Sequence, residues 1–247
     1  MNSSSDPDRE AEAARVGRVY GRYRASRRRR RAWAAENPGN QAIREELLAA
    51  VLEEAGAELA GEGAVLDIGC GTGYWLEALR AAGVEPARLT GVDILADRVQ
   101  AAARRVPGAA VRRADARSLP FEDESFGLVL LFTVLSSLAT RAEVHSALAE
   151  ARRMLRPSGV MLCYELRLPS PFNPRARRIS SEDFDAAGIR PRQEGPLTVL
   201  PPLARRLGAR TGALYPRLAR LPLLQSHRLV VYREPTDERP PAGRSAA

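Results

Sequence analysis

Short apolar runs alternate along the middle of the chain with longer segments whose apolar residues recur every three or four positions. The short runs predict buried strands, and the longer segments predict amphipathic helices. The predicted strands cover residues 64–68, 89–92, 110–111, 128–132 and 160–166, and the predicted helices cover 43–59, 74–82, 95–105 and 141–155. Strands that alternate with helices in this way indicate a doubly wound α/β sheet with helices on both faces.

The rhythm changes after residue 166. Ser180, with Glu182 and Asp183 behind it, predicts the start of a short helix that ends at Gly188. The remaining predicted elements are a strand over 197–200, a basic, leucine-rich helical segment over 203–221 and a closing strand over 226–233. We expect a basic, partly disordered N-terminal arm over 1–40, one domain over 41–234 with an insert at about 201–224, and a disordered tail over 235–247.

Composition excludes several classes of protein. The chain has 45% hydrophobic and 28% charged residues, so it can bury a sizeable core and is not generally disordered. Its longest uncharged apolar run, residues 127–139, is shorter than the roughly 20 residues that span a bilayer, and its acidic first residues do not resemble a secretory signal. Two cysteines, Cys70 and Cys163, are too few for a disulfide scaffold or a zinc cluster. We therefore expect a cytoplasmic protein without a membrane span or a metal site.

Charge is distributed unevenly along the chain. All 38 basic residues are arginine, and the formal net charge is +8. Residues 1–31 carry a net charge of +6, residues 32–166 carry −6, and residues 167–233 carry +9. The two basic flanks permit an acidic acceptor or a nucleic acid as a partner, without requiring either.

The most informative stretch is Val-Leu-Asp-Ile-Gly-Cys-Gly-Thr-Gly at 65–73. A strand enters three glycines spaced by two and then a helix, so the backbone can turn sharply and approach a ligand closely. Asp93 ends the next predicted strand, where a carboxylate can accept hydrogen bonds from two ribose hydroxyls. A dinucleotide dehydrogenase would instead show Gly-x-Gly-x-x-Gly without an acid inside the strand. Taken alone, the three glycines are equally compatible with a simple turn.

Further segments extend this pattern, namely Ala-Asp-Ala at 114–116, Leu-Pro-Phe at 119–121, Asp-Glu-Ser-Phe at 123–126 and Ala-Arg-Arg-Met-Leu-Arg-Pro-Ser-Gly at 151–159. With the glycine loop and Asp93, they resemble the motifs of the class I S-adenosylmethionine-dependent methyltransferases over about residues 60–166. Gly127 departs from the pattern, since an Asp commonly stands there. The resemblance implies a Rossmann-like sheet of about seven strands with an antiparallel last strand, an N-terminal helical arm, and S-adenosyl-L-methionine as cofactor.

The same resemblance implies which residues bind the cofactor. Asp67 and the loop residues Gly69, Cys70, Gly71 and Gly73 would hold its methionine end, and Asp93 its ribose. Asp115 would contact the adenine, with Ile94 and Ala116 packed on the ring, while Phe132 and Thr133 would line the sulfonium side. In many small-molecule members an N-terminal helix closes over the cofactor, so Tyr20 or Tyr23 is a candidate cap. Exposed aromatics on a free arm are the alternative.

Methyl transfer needs orientation of the acceptor, and a base only where the acceptor must lose a proton. Three candidates for contact with the acceptor are His227, before the last strand, and Tyr164 and Glu165, at the end of the fifth. Each also has a structural interpretation, as a core or packing residue. His145, on the helix over 141–155, is a surface or packing residue in our interpretation.

Two basic segments bear on the acceptor. The five arginines at 27–31 could bind phosphate or an RNA backbone, although no recognised RNA-binding module flanks them. In the insert, the leucines at 203, 207, 214, 218 and 221 could line an apolar cavity while the arginines at 205, 206, 210 and 217 face water. A packed surface helix would show the same pattern. The Pro-Phe-Asn-Pro turn at 171–174 and the closing Ser-His-Arg also look like a bacterial subgroup of the family associated with glycan and secondary-metabolite pathways.

Three functions therefore remain open. The first is a methyltransferase acting on an oxygen or nitrogen of a small, acidic or apolar molecule, of the natural-product or sugar type. The second is an RNA methyltransferase that uses the basic arm. The third is an S-adenosylmethionine-binding cyclase or non-catalytic domain, because the sequence shows no compelling base. A homodimer is compatible with all three.

Overall fold

The computed structural model describes residues 7–25, 34–169 and 176–235. Its strands are β1 Val65–Ile68, β2 Leu89–Asp93, β3 Ala110–Arg113, β4 Phe126–Phe132, β5 Leu155–Leu166, β6 Gln193–Val199 and β7 Gln225–Arg233. Its helices are α1 Pro7–Ala25, α2 Pro38–Ala60, α3 Tyr74–Ala81, α4 Ala96–Arg105, α5 Arg141–Met154, α6 Ser181–Ala186, α7 Pro201–Arg206 and α8 Thr211–Leu218. Four single 3-10 turns, Pro86–Arg88, Leu135–Ser137, Gly208–Arg210 and Pro222–Leu224, complete the described elements.

The strands form one sheet in the order β3-β2-β1-β4-β5-β7-β6. Strands β1 to β5 pair in parallel, while β7 runs antiparallel to both of its neighbours. A doubly wound sheet of seven strands with an antiparallel last strand and an N-terminal helix confirms the predicted fold class. None of the described helices contains an apolar stretch that could cross a membrane.

The sheet has an apolar layer on each face. In β4 all seven residues are buried, and successive side chains point to opposite faces. Val129 and Leu131 pack in one layer with α5, whereas Leu128, Leu130 and Phe132 pack in the other with α2, α3 and α4. The continuous apolar run in the sequence therefore reflects a strand that is buried on both faces.

Two helix and strand starts differ from the prediction. Helix α2 begins at Pro38 rather than at residue 43, because the Asn37 side chain caps it by accepting the backbone N–H groups of Gly39 and Asn40 at 3.0 and 3.3 Å. The predicted domain boundary after residue 40 thus falls inside this helix. Strand β5 begins at Leu155, directly after α5, rather than at residue 160, and a register shift between Phe126 and Leu128 accommodates the additional residues.

The leucine spacing predicts a helical segment over 203–221, but the insert does not form one continuous helix. Gly208 adopts a φ of +54°, in the left-handed region, so the chain forms α7, a 3-10 turn and α8 instead, and Pro216 lies inside α8. The leucines at 203, 207 and 218 pack on a small cluster around Ala204 and Tyr215. Two residues depart from the expected arrangement, since Leu221 is exposed and the Arg205 Nε donates to Asn40 at 2.8 Å.

Strand direction brings the candidate residues to one edge of the sheet. The parallel strands β1, β2, β4 and β5 all end at this edge. Strand β7 begins there because His227 pairs with Leu166, and β6 ends there because Val199 pairs with Gln225. The insert between β6 and β7 therefore lies at the same edge, which is where open α/β sheets bind ligands.

Candidate functional site

The glycine loop after β1 adopts a conformation that suits glycine at three positions. Gly69, Gly71 and Gly73 have φ values of +73°, +55° and +79°, in the left-handed region that residues with a Cβ avoid. The Gly69 and Cys70 amides donate to the Val92 carbonyl at 2.8 and 2.9 Å, which fixes the loop against β2. A Cβ on Gly69 would lie 2.4 Å from a Val134 methyl group, whereas one on Gly71 would meet nothing within 4 Å. Gly71 therefore faces open space that a ligand can enter.

Asp67, in β1 two residues before this loop, is a buried carboxylate with an unsatisfied oxygen. Its side chain is 1% exposed, and its Oδ2 has no hydrogen-bond partner among the described residues. Burial, and then the negative charge of Asp93, raise the pKa of Asp67 from 3.8 to about 8. A buried acceptor without a donor is costly, so this atom is suited to a donor or cation supplied by a ligand.

Asp93 lies at the end of β2, opposite the glycine loop. Its Oδ2 accepts the Gly71 amide at 3.0 Å and its Oδ1 accepts the Leu95 amide at 2.9 Å. The Arg98 guanidinium is 3.6 Å from the Oδ2. Each carboxylate oxygen has two lone pairs, so Asp93 retains capacity for hydroxyl donors while its orientation is already fixed.

Asp115 follows β3 and is paired with an arginine that the sequence did not identify. Arg117 donates to Asp115 through its backbone amide and its guanidinium, at 2.7 to 3.1 Å, and its Nη1 donates to Glu143 at 2.7 Å. Near this pair, Ile94 and Ala116 are partly buried, and Ala116 packs on the core. Local spacing alone could have suggested the Arg117 contact, because the two residues are separated by one position.

Helix α1 lies across the carboxyl ends of three strands. Glu10 pairs with Arg113 at the end of β3 at 2.9 Å, and Arg15 donates to the Ser137 carbonyl beyond β4 at 2.5 Å. Gly17 lies near Leu95, two residues after Asp93, where a Cβ on Gly17 would be 3.8 Å from the Leu95 side chain. Tyr20 and Tyr23 belong to this helix, although their side chains lie outside the described residues, as do Arg27–Arg31 and the turn at 171–174.

A row of rings continues from the glycine loop along the edge of the sheet. Trp75 contacts Phe132 edge-on at 5.1 Å between centroids, Phe132 contacts Tyr164 at 6.0 Å, and Tyr164 stacks on His227 at 4.6 Å with 7° between the planes. Sequence reasoning identified the last three members separately but missed Trp75 and its neighbour Tyr74. Their position in the first turn after the glycines was the available signal.

His227 is half-buried, and Ser226 Oγ lies 2.8 Å from its Nδ1. Burial, and then the charge of Arg205, lower the pKa of His227 from 6.5 to about 4, so the ring is neutral at physiological pH. Tyr164 is 6% exposed and its hydroxyl donates to Thr198 Oγ1 at 2.8 Å, which makes it part of the wall rather than a free hydroxyl.

Glu165 is fully buried and holds the loop after β4. Its carboxylate accepts the backbone amides of Leu135 and Ser136 at 2.7 and 3.2 Å. Burial is the main reason that its pKa rises from 4.5 to about 7. Thr133, at the start of the same loop, is exposed with a φ of +59°, a strained conformation for a β-branched residue of the kind found at functional sites. Its amide donates to the Tyr164 carbonyl at 2.8 Å.

A second polar group lies beyond the ring row and was missed by sequence reasoning. The Tyr215 hydroxyl of the insert donates to Glu46 of α2 at 2.7 Å, and burial raises the pKa of Glu46 above its ordinary value. Thr198, which accepts the Tyr164 hydroxyl, has a φ of +70°. These contacts join residues up to 169 positions apart, so no local pattern could have shown them.

His145 lies on α5 and is partly buried, and its Nε2 is 3.7 Å from the Asp183 Oδ1.

The arrangement thus combines two halves along one edge. In the first half, the Gly71 backbone faces open space, and the buried carboxylates of Asp67 and Asp93 lie nearby. This arrangement fits a ligand with a cationic group and a ribose. Around Phe132 and His227 it offers an aromatic wall with a neutral imidazole. Such a pair of compartments can hold two reactants side by side and exclude water from between them.

Comparison with known proteins shows a partial family match for the part of the chain that contains the glycine loop. Residues 66–163, about two fifths of the chain, match the family model described as a methyltransferase domain. The demethylmenaquinone methyltransferase of Lactiplantibacillus plantarum is 35% identical over 117 residues, which cover 45% of this chain and 48% of that protein. The chain therefore matches about half of the length of this curated relative.

Two solved structures share the fold. The N-methyltransferase NodS from Bradyrhizobium japonicum WM9, in complex with S-adenosyl-l-homocysteine, has a TM-score of 0.64 at 15% identity and covers 89% of this chain and 98% of its own. The [4+2]-cyclase SpnF has a TM-score of 0.56 at 22% identity and covers 76% of this chain and 80% of its own. At these identities the likeness concerns the fold alone.

Proposed function

We propose that this chain, a member of the class I S-adenosylmethionine-dependent methyltransferase family, transfers the methyl group of S-adenosyl-L-methionine to an oxygen or nitrogen of a small-molecule acceptor. The observation that carries the proposal is the glycine loop. Gly71 presents open backbone beside Asp93, while the buried Asp67 has an oxygen without a donor. These features fit a ligand that carries both an ammonium group and a ribose.

The residues of the cofactor half would then have distinct roles. Asp67 and the loop Gly69, Cys70, Gly71 and Gly73 would bind the methionine end, because the unsatisfied Oδ2 can accept an ammonium N–H. Asp93 would accept the ribose hydroxyls. Asp115 would accept the adenine amino group with the lone pair that Arg117 leaves, between Ile94 and Ala116.

Helix α1 would cover this half. Its contacts with Arg113, Ser137 and Leu95 hold it over the ends of β2, β3 and β4. Tyr20 and Tyr23 are proposed as cap residues on that helix. A cover of this kind excludes water from the reacting centre, which strengthens the electrostatic interactions within it.

When bound, the cofactor supplies an electrophilic methyl carbon on a sulfonium, which accepts the acceptor's lone pair as the carbon–sulfur bond breaks. Phe132 and Thr133 would line the sulfonium side, and the Tyr164 ring would support the acceptor. Glu165 would act as a positioning residue through its hold on the loop after β4. The acceptor half is rich in rings, which suits an apolar or planar molecule.

His227 would contact the acceptor's O–H or N–H. Ser226 Oγ lies 3.5 Å from the Thr198 carbonyl, to which it can donate its single proton. In that arrangement Nδ1 donates to Ser226, and Nε2 keeps a lone pair for the acceptor. Because the pKa is about 4, the imidazole would orient the acceptor and share its proton as the methyl group moves, instead of removing it beforehand.

Calorimetric titration with S-adenosylmethionine and S-adenosylhomocysteine tests the proposal. We expect micromolar binding to the full chain, loss of that binding in Asp93→Ala, and unchanged binding in the matched control Asp185→Ala, whose side chain is exposed on α6. Circular dichroism would verify that each variant is folded. Equal binding by wild type and Asp93→Ala would contradict the site.

A second measurement separates the alternative functions. Formation of S-adenosylhomocysteine with a panel of phenols, alcohols and amines would support small-molecule methyl transfer. Methylation of RNA, with affinity that falls steeply as salt rises, would indicate an RNA methyltransferase instead. Cofactor binding without any S-adenosylhomocysteine would leave a cyclase or a binding domain.

A further inference from the structure

The insert between β6 and β7 carries an unusual combination of charge and exposed apolar surface. Residues 201–224 contain five arginines and no acidic residue. Four of them, at 206, 210, 217 and 220, are exposed, and none makes an ion pair within the described part of the chain. We call residues 206–223 the basic tip.

The basic tip also exposes two leucines. Leu223 is 88% exposed and Leu221 is 49% exposed; only one other large apolar residue, Leu52 on α2, is comparably exposed among the described residues. Single exposed leucines are ordinary, but two that flank a proline within a positive patch form the pattern of a surface that enters a lipid interface.

The tip is held in place rather than frayed. The Leu200 amide donates to the Leu224 carbonyl at 2.7 Å, on the last residue of the 3-10 turn Pro222–Leu224. Directly after β5, the Arg167 Nη2 donates to the carbonyls of Pro222 and Gln225 at 2.6 and 2.8 Å. A fixed turn presents its leucines without an ordering cost at the moment of binding.

We propose that the basic tip docks on the surface of an anionic membrane, with Leu221 and Leu223 in the headgroup region and the arginines against acidic lipids. Arginine charge is complementary to such a surface, and each basic residue near it strengthens binding about fivefold. Burial of the two leucines adds an apolar contribution. An RNA partner would use the arginines but would leave the leucines exposed to water.

The position of the tip gives the docking a consequence. His227 follows Leu223 by four residues, and the insert lies at the same sheet edge as the ring row from Trp75 to His227. A docked tip therefore brings the acceptor half of the site near the lipid. This consequence, unlike the docking itself, rests on the proposed function, and it selects acceptors that partition into membranes.

Vesicle flotation with the full chain tests the docking and needs neither cofactor nor acceptor, so its result is separate from the test of methyl transfer. Vesicles of phosphatidylcholine with 30% phosphatidylglycerol would be compared with phosphatidylcholine alone in 100 mM salt. We expect binding to the anionic vesicles and at least tenfold weaker binding to the neutral ones. Absence of binding to the anionic vesicles would overturn the proposal.

Paired variants separate charge from insertion. The double variant Leu221→Ser, Leu223→Ser should weaken binding at least tenfold, and Arg217→Gln, Arg220→Gln about 25-fold. The matched controls are Leu52→Ser on α2 and Arg104→Gln, Arg105→Gln, which are exposed on α4 near the opposite side of the sheet. Both should bind within twofold of wild type. Unchanged vesicle binding by the leucine variant would overturn the proposal, since charge alone would then account for the attraction, as it would for RNA.

Discussion

The raised pKa of Asp67 makes the stability of the fold depend on pH in a way that can be measured. Its carboxylate is buried beside Asp93, with only 1% of the residue exposed, and its pKa is raised from 3.8 to about 8. Between those two pH values the folded protein holds a proton that the unfolded chain has released. Stability therefore falls as pH rises through this window, and the loss is complete above about pH 8.

The substitution Asp67→Asn removes this titration at nearly constant volume. One pH unit inside the window corresponds to about 1.4 kcal/mol, so wild type should lose about 2.7 kcal/mol relative to the variant between pH 5 and pH 7. Any fixed cost of the new amide cancels, because the prediction concerns how the difference between the two proteins changes with pH. Glu165, whose pKa is also raised, to about 7, titrates in both proteins and cancels as well.

Urea unfolding at pH 5, 6, 7 and 8, followed by circular dichroism, gives the free energies. The exposed Asp185→Asn serves as the control, and its pH dependence should match that of wild type. Calorimetry on the same proteins should show that Asp67→Asn binds S-adenosylmethionine more weakly. Wild-type affinity should decline below pH 8, since ammonium binding favours the ionised carboxylate. Parallel stability curves for wild type and Asp67→Asn would refute the reasoning.

Two further predictions concern the loops at the site. Gly71→Ala should destabilise the fold by only about 1–2 kcal/mol, the cost of its φ of +55°, yet abolish cofactor binding, because the new methyl group enters open space. Gly69→Ala should cost more, since its Cβ would also lie 2.4 Å from Val134; thermal melts and calorimetry compare the two, and equal melting temperatures would contradict the clash. Glu165→Gln should cost about 1–3 kcal/mol in urea unfolding, because an amide nitrogen would face one of the two backbone N–H groups that the carboxylate now accepts. An unchanged urea midpoint would show that this hydrogen-bonded pair does not hold the loop after β4.

The sequence by itself determined the sheet and the cofactor half. Periodicity is a local property, so the buried run of β4 and the strand, loop and helix around Gly71 could be predicted from neighbouring residues. The three left-handed positions explain why glycines recur there every second residue. The same local logic failed in the insert, where the leucine spacing predicts one helix but the positive φ of Gly208 separates α7 from α8.

Tertiary structure alone decided the acceptor half. The Tyr215–Glu46 contact and the stack of Tyr164 on His227 join residues far apart in sequence. The burial that makes Glu165 a positioning residue also depends on neighbours from other elements. Strand direction placed the insert at the site edge, and packing determined that Leu223 faces outward. Short-range patterns record which residues can form an element, whereas the direction and neighbours of that element depend on contacts formed only when the whole chain folds.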